Sequence, residues 1–444
     1  MAVILCPSRM WKPLMIAIFI AILYPPLSLR YTVFGFGRGS GRTVNLHGHE
    51  LKRIPDTLYV EDLHYHQASN LLFGASEADE ETRKFWFPPT ADLQKSRPIG
   101  QGTFVVIDPK TFKTIRLALR NFSGPFITHG IDIWSSSSDR ESIYIFAINH
   151  LPNPAHIASS STEPAARSQI ELFHYRIGDA YATHIRSIWH PLIRTPNDIY
   201  AVNSQEILVT NDHLHRSGIL RLIENLGWDF TPWSNVVHMK FPLHLDLPQT
   251  SFGHNGPPNP STNARAGVSA SVALRSLQNM NGLGHGPSCS DVLIGRASAG
   301  VLVHAILNPA YPSELQVTES LQLDSTIDNP SYFADPYAVE TGRDASGFVL
   351  AGLWNAAEFP TAEGRDPVVV WMVRAQTEDG QRMDEEARRW NRTVIFRDDG
   401  HSVSSASTAL VVAIDPRDNE GRKQGWLFVT GPVSKAVVAA RIDL

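Results

Sequence analysis

Four short stretches set two oxygen-bearing side chains next to each other beside an apolar run. Glu61 and Asp62 do so in LYVEDLHY, Asn197 and Asp198 in RTPNDIYAV, Asn211 and Asp212 in LVTNDHL, and Asp328 and Asn329 in STIDNPSY. Carboxylates and amides are hard oxygen donors, and calcium gathers about six to eight of them. Glu61, Asn197, Asn281, Asp328 and Asn329 together offer two carboxylates and three amides. Such a mixed set neutralises a divalent ion without stacking excess negative charge. The same pairs also suit β-turns, because Asn and Asp tolerate turn geometry, so spacing alone leaves both readings open.

Histidine offers a second kind of chemistry. His47 and His49, His64 and His66, and His213 and His215 each stand two positions apart. On a strand that spacing puts both rings on one face, an arrangement that zinc hydrolases use, yet no third ligand is identifiable by spacing. A serine nucleophile has little support, since GVSAS and GHSVS both miss the Gly-x-Ser-x-Gly elbow and its alternation of strands and helices. Cys6 and Cys289 are the two cysteines, and Cys6 lies in the N-terminal apolar segment. A disulfide staple and a cysteine-ligated zinc are therefore not expected.

The elements that must position these residues read as β-strands. Short runs rich in Val, Ile, Phe and Tyr recur, as in GTFVVIDPKTFKTIRLAL, SIYIFAINH, EILVTNDH, GFVLAGLWN, PVVVWMVRA and ALVVAIDP. Several are joined by DPKT, IGDA or ASAG turns, as in consecutive antiparallel hairpins. At 444 residues this repetition predicts an all-β fold, a propeller of roughly six blades at about 40 to 50 residues each. The last run, residues 437–444, ends the chain on a strand pattern, as expected where paired termini close the final blade. Strand ends near a propeller axis converge, so distant polar pairs can meet in a central tunnel. Helices are few: one is expected over residues 217–228, with Ile219, Leu222, Ile223 and Leu226 at helical spacing after Ser217, and a charged one near Asp384. Residues 250–277 and 358–367 read as excursions between blades.

The composition, 43% hydrophobic with net charge −5, suits a large core and carries no basic stripe for nucleic acid. Arg9 and Lys12 precede an apolar run over residues 14–24 that Pro25 and Pro26 follow. This layout predicts an N-terminal signal peptide or uncleaved signal anchor over residues 1–31, and a single domain over 32–444. The run is short for a membrane helix, which needs about 20 apolar residues. The chain is therefore expected in the secretory pathway, secreted or held at a membrane or lipid surface by its N-terminus, with glycan acceptors at Asn121 and Asn391.

FITHGIDIWSSSSDRESIYIFAINHLPNP followed by TPNDIYAVNSQEILVTNDHL resembles the central signature of the paraoxonase and arylesterase family. VEDLHY upstream, and NMNGLGHGPSCSDVLIGRASAGVLVHAI, TIDNPSYF and DDGHSVSSASTALVVAID downstream, follow in the family's order, over residues 58–444 with an interruption at 250–277. The resemblance implies a six-bladed β-propeller holding two calcium ions, one catalytic and one structural. Matched by position, the catalytic ion falls to Glu61, Asn197, Asn281, Asp328 and Asn329. The structural ion falls to Asp62, Asp198 and the backbone carbonyl of Ile131.

The chemistry that this implies is hydrolysis of a small ester or lactone, the calcium polarising the carbonyl and a histidine making hydroxide. By resemblance His129 is the base and His150 its partner. The alternative is Asp328 as base or nucleophile. Other readings are a calcium-stabilised propeller that serves as a binding module, or an enzyme of the strictosidine synthase type. The chain departs from the family in having no cysteine pair to tie its first and last strands, and in Asp132, Ile133 and Trp134 after His-Gly-Ile, where small hydroxylated residues are usual. Trp228, Phe230 and Trp233 lie in the segment that covers the family's active site.

Overall fold

The computed structural model describes residues 24–93, 100–153, 155–156, 164–225, 231–244, 264–308, 310–311, 313–361, 364–375 and 390–444. They form a six-bladed β-propeller. Blade 1 runs through Leu63–His66, Leu71–Ser76, Thr103–Ile107 and Thr114–Arg116, and blade 2 through Thr128–Ser136, Asp139–Pro152, Ala166–Arg176 and Tyr181–Ile188. Blade 2 gains a parallel outer strand, Ala118–Arg120. Blade 3 is Pro196–Asn203, Glu206–Asn211, Ser234–Lys240 and Ser269–Leu277, and blade 4 is Met280–His285, Asp291–Arg296, Val301–Leu307 and Leu315–Gln322. Blade 5 is Pro330–Phe333, Gly347–Leu353, Val368–Ala375 and Trp390–Asp398.

Blade 6 takes three strands from the end of the chain, Thr408–Ala413, Gln424–Thr430 and Val438–Asp443, and its outermost from near the beginning, Glu50–Arg53. Leu51 pairs with Ala440 and Arg53 with Val438. The ring is therefore closed by the pairing expected of the final run, and needs no covalent tie between first and last strands.

Blade-to-blade packing explains the composition of the strands. The middle strands face a neighbouring blade on each side, so Glu206–Asn211 is buried along its whole length. Outer strands such as Leu315–Gln322 expose much of theirs. One apolar cluster lies at each of the six blade interfaces. Phe73, Phe104 and Phe173 join blades 1 and 2, and Phe146, Ile199 and Val209 join 2 and 3. Leu208, Val236 and Val292 join 3 and 4, and Leu293, Leu350 and Val369 join 4 and 5. Val349, Val368 and Leu427 join 5 and 6, and Leu72, Val105 and Phe428 join 6 back to 1.

Three expectations need correction. The helix expected over residues 217–228 starts at Ile219 and is described as far as Asn225, Leu226 lying outside the described residues; its buried side chains are Arg221 and Glu224, while Ile219 and Leu222 are exposed. Two polar anchors decide its orientation: Arg221 donates to the Pro89 carbonyl at 2.7 Å, and Glu224 accepts from the Leu214 and His215 amides. The charged helix near Asp384 falls mostly outside the described residues, and its end, from Trp390, is strand. The excursion over 250–277 is also shorter, because Ser269–Leu277 is the fourth strand of blade 3.

Leu427 lies fully buried between blade 5 and blade 6, the blade that closes the ring. Leu427→Ala is expected to cost about 2–5 kcal/mol of stability, read as a lowered midpoint in urea unfolding. A change within about 0.5 kcal/mol, typical of surface sites, would show that this interface does not hold the ring shut.

Candidate active site

The first strand of each blade lines the axis, and the polar pairs stand at or just before the first residues of those strands. Glu61 and Asp62 precede Leu63, His129 follows Thr128, Asn197 and Asp198 follow Pro196, Asn281 follows Met280, and Asp328 and Asn329 precede Pro330. Convergence is direct. Asn329 Nδ2 donates to Glu61 Oε1 at 3.0 Å and to Thr408 Oγ1 at 2.9 Å. Thr210 Oγ1 accepts from the Asp198 amide at 3.0 Å and donates to the Asn281 carbonyl at 2.6 Å.

Two glycines permit this closeness. A Cβ on Gly130 would lie 2.4 Å from the Asn197 carbonyl oxygen and 2.5 Å from Asp198 Oδ1, and one on Gly282 would lie 2.2 Å from Asn329 Oδ1. Only glycine lets backbone pass a ligand-bearing loop at that distance.

The electrostatics of the cluster are adverse without a cation. Burial pushes the Glu61 carboxyl well above the usual range, and Asp328 and then Asp62 add to it. Asp198 is raised by burial, then by Asp62 and Glu61. Asp328 is raised by burial, then by Asp62 and Asp212.

The decisive detail is atomic. Glu61 Oε2, Asn197 Oδ1, Asn281 Oδ1, Asp328 Oδ1 and Asn329 Oδ1 are buried and have no hydrogen-bond partner. Buried polar atoms are nearly always paired, and five unpaired oxygens from strand starts about one axis have the chemistry that a hard cation would take. They come from the five residues assigned to the catalytic ion. Among the described residues no three His, Cys, Asp or Glu side chains group as a metal site, so a cation held here would need the amide oxygens.

Asp62 and Asp198 differ. Asp62 Oδ2 accepts from the Ile131 amide at 3.1 Å and faces His64 Nε2 at 2.9 Å, while Oδ1 accepts from the Leu63 amide at 2.8 Å with Thr408 Oγ1 at 3.2 Å. Asp198 Oδ1 accepts from the Ile199 amide at 2.7 Å and Oδ2 from the Leu283 amide at 2.6 Å.

His129 and His150 stand side by side. His129 Nδ1 and His150 Nε2 are 3.1 Å apart, and His150 Nδ1 lies 2.7 Å from Ser168 Oγ. Trp86 Nε1 donates to the His150 carbonyl at 2.7 Å. Phe87 presents its ring edge-to-face to both imidazoles, at 5.2 Å from His129 and 6.0 Å from His150. Arg83 stacks on Phe87, donates to the Thr128 carbonyl at 3.1 Å and pairs with Glu77 at 3.1 Å. Burial, then the Arg83 charge, holds His129 down to about 3, and burial, then His129, puts His150 well below its ordinary value. Both rings are neutral near pH 7.

The other polar residues have structural partners. Asn211 Oδ1 accepts from the Arg194 and Thr195 amides at 2.7 and 3.0 Å, a turn-holding role. The histidine pairs do not converge: His47 meets Asp398 and His49 meets Asp443, His66 meets Ser69 and Ser135, and His213 and His215 meet Asn225 and Glu224. Asp132, buried, accepts from the Ala201 amide at 2.6 Å and meets His285 Nε2 at 2.8 Å and His64 Nδ1 at 3.2 Å. Trp134 packs into the interface of blades 2 and 3, and Trp233 edges onto His215. Trp228 and Phe230 lie outside the described residues. The sequence reading missed Ser168, Trp86, Phe87 and Arg83, and nothing in their local pattern marks them.

A cavity of about 880 Å³ opens at the far ends of the inner strands. Its lining includes Asp62, His64, Tyr65, His285, Asn329 and Tyr332, but neither histidine of the dyad.

Residues 113–241 match a family model described as Arylesterase. The resemblance to that family is borne out. The chain is 26% identical over 230 residues to serum paraoxonase/arylesterase 2 of Gallus gallus, covering 51% of each chain. It is 25% identical over 269 residues to the Bos taurus protein of the same name, covering 59% of each. The aligned region thus spans about half the length of these relatives. Among solved structures, a luciferin-regenerating enzyme aligns over 89% of this chain and 96% of its own at 9% identity and TM-score 0.46. Regucalcin of Agrobacterium tumefaciens, a calcium-binding protein, aligns over 90% and 94% at 9% identity and TM-score 0.38.

The raised carboxyls carry a prediction. The folded state holds protons on Glu61, Asp198 and Asp328 that the unfolded chain releases near pH 4. Stability of the chelated protein therefore falls as pH rises above that value, and a bound divalent cation offsets the loss. Thermal scans between pH 5 and 8 are expected to show a falling Tm in chelator and a flatter profile in calcium. Parallel profiles would show that carboxylate repulsion is not what the cation relieves.

Proposed function

We propose that the chain is a calcium-dependent hydrolase of lactones or aryl esters. The observation that carries this reading is the set of five unpaired buried oxygens on Glu61, Asn197, Asn281, Asp328 and Asn329, in a tunnel whose wall also holds the His129–His150 pair. These five residues would hold the ion. Bound there, calcium supplies a Lewis acid that polarises a carbonyl and stabilises the oxyanion formed on attack. The names of the relatives, paraoxonase and arylesterase, support ester chemistry.

The protein's own part is to make a nucleophile from water. His129 accepts a proton through Nε2 only when Nδ1 carries the hydrogen. That tautomer follows if Ser168 Oγ accepts from His150 Nδ1, leaving His150 Nε2 to accept from His129 Nδ1. Against the burial and the Arg83 charge that lower it, the Asp212 and Asp62 charges, and then the Pro196 carbonyl, favour the ring once it is protonated. Phe87 and Trp86 exclude water from the far side of the pair. Ser168 is a positioning residue in this scheme, and Asp328 is a ligand rather than the base.

We place the protein in the secretory pathway, with lipid association through its N-terminus. Exposed Asn121 and Asn391, and Tyr24, Leu27 and Tyr31 exposed on a helix over residues 24–34, support this. The apolar run over 14–24 lies almost wholly outside the described residues, and no described helix is long and apolar enough to cross a membrane.

The test is hydrolysis of an aliphatic lactone and of phenyl acetate by the purified chain, after chelation and again after calcium is restored. Activity is expected to vanish and return. His129→Gln is expected to lower kcat by about 10²–10⁴-fold with calcium affinity unchanged. Asp328→Asn should weaken calcium binding along with activity. A fully active His129→Gln would move the base to Asp328, and no turnover of either substrate with calcium bound would leave a calcium-stabilised binding protein.

A further inference from the structure

The proposed mechanism uses one cation, whereas the family resemblance implies two. The lower position, assigned to Asp62, Asp198 and the Ile131 carbonyl, does not fit a second ion as the upper position fits the first. No oxygen of Asp62 or Asp198 is among the unpaired buried atoms. A carboxylate oxygen has about two lone-pair directions, and those of Asp62 Oδ2 are both taken, by the Ile131 amide at 3.1 Å and by His64 Nε2 at 2.9 Å.

His64 is the reason. Its Nε2 faces Asp62 Oδ2 at 2.9 Å and its Nδ1 faces Asp132 Oδ1 at 3.2 Å, and the ring also hydrogen-bonds the Ile131 backbone. The ring therefore engages two of the three groups assigned to the second ion. Two carboxylates flanking one imidazole at 2.9 and 3.2 Å favour its protonated form. Asp132 is held in turn by the Ala201 amide at 2.6 Å and by His285 Nε2 at 2.8 Å. His285 packs in turn against Tyr200, with ring centroids 4.1 Å apart and the planes tilted by 32°. Asp132 stands where the family usually has a small hydroxylated residue, so a carboxylate there gives His64 its second partner.

We infer that the His64 imidazolium, braced by Asp132 and His285, takes the place of the second, structural cation, and that the protein binds a single calcium ion at the upper position. This rests on the proposed calcium site, and the measurement separates the two. The chelated full chain is titrated with calcium by calorimetry, and the metal content of the dialysed protein is measured. One equivalent per chain is expected, with its affinity reduced at least tenfold by Asn281→Ala, which removes one upper donor oxygen. Two tight equivalents would overturn the inference and leave the proposed function standing. A single equivalent indifferent to Asn281→Ala would also overturn it, by putting the ion at the lower position. No bound calcium would remove the calcium reading of the function and this inference with it. His64→Gln removes the charge and is expected to take up a second equivalent. Should that variant not fold, the stoichiometry of the unaltered chain decides the matter alone.

Discussion

Carboxylate repulsion in a buried tunnel is the constraint on which the rest of this structure turns. Glu61, Asp62 and Asp198 are almost wholly buried, and Asp328 lies with them near the axis, raised in its turn by the Asp62 charge. Removing such groups from water costs several kcal/mol each unless they are paired or protonated. Two devices answer that cost in different ways. At the upper level five oxygens are left without partners, an arrangement that suits a divalent ion. At the lower level a histidine and backbone amides meet the carboxylates directly.

The propeller makes this concentration of charge tolerable by keeping it rigid. Each blade interface has its own apolar cluster, from Phe73 and Phe173 between blades 1 and 2 round to Leu72 and Phe428 between blades 6 and 1. Strand starts held on six such wedges cannot drift apart to relieve the repulsion. Pairing of Glu50–Arg53 with Val438–Asp443 closes the ring, and the apolar cluster of blades 6 and 1 then fixes Glu61 and Asp62, just before the first strand of blade 1, against Thr408 at the start of blade 6. The chain's two ends and its charged centre are thereby mechanically linked.

The dyad shows the same economy of support. Trp86 holds the His150 backbone, Ser168 its ring, and Phe87 with Arg83 the side of both imidazoles. Arg83 lies in the helix Glu80–Phe85 and Trp86 and Phe87 directly follow it, between the second and third strands of blade 1. The helix Ile219–Asn225 reaches that segment through Arg221 and the Pro89 carbonyl, so two insertions from different blades form the roof near the site.

What the sequence by itself determined is the periodic and the polar-adjacent. Valine- and isoleucine-rich runs separated by turns dictate blades, because a strand packed on both faces must be apolar throughout. Paired acids and amides at strand starts bring oxygens to the axis once those starts converge; spacing left them open to a turn reading, and it was the family resemblance that assigned Glu61, Asn197, Asn281, Asp328 and Asn329 to one ion. The orientation of the helix at Ile219 was not, because hydrophobic spacing counts side chains and takes no account of a buried Arg221 with a carbonyl to meet. Likewise the sequence placed Asp62 and Asp198 with a second ion, while His64 in HYH read only as one of a pair. Which groups His64 meets depends on Asp132 and Ile131, nearly 70 residues further along the chain. Only the tertiary structure brings their oxygens to its ring, and hydrogen-bond saturation at an atom is a property of distances that no one-dimensional pattern contains.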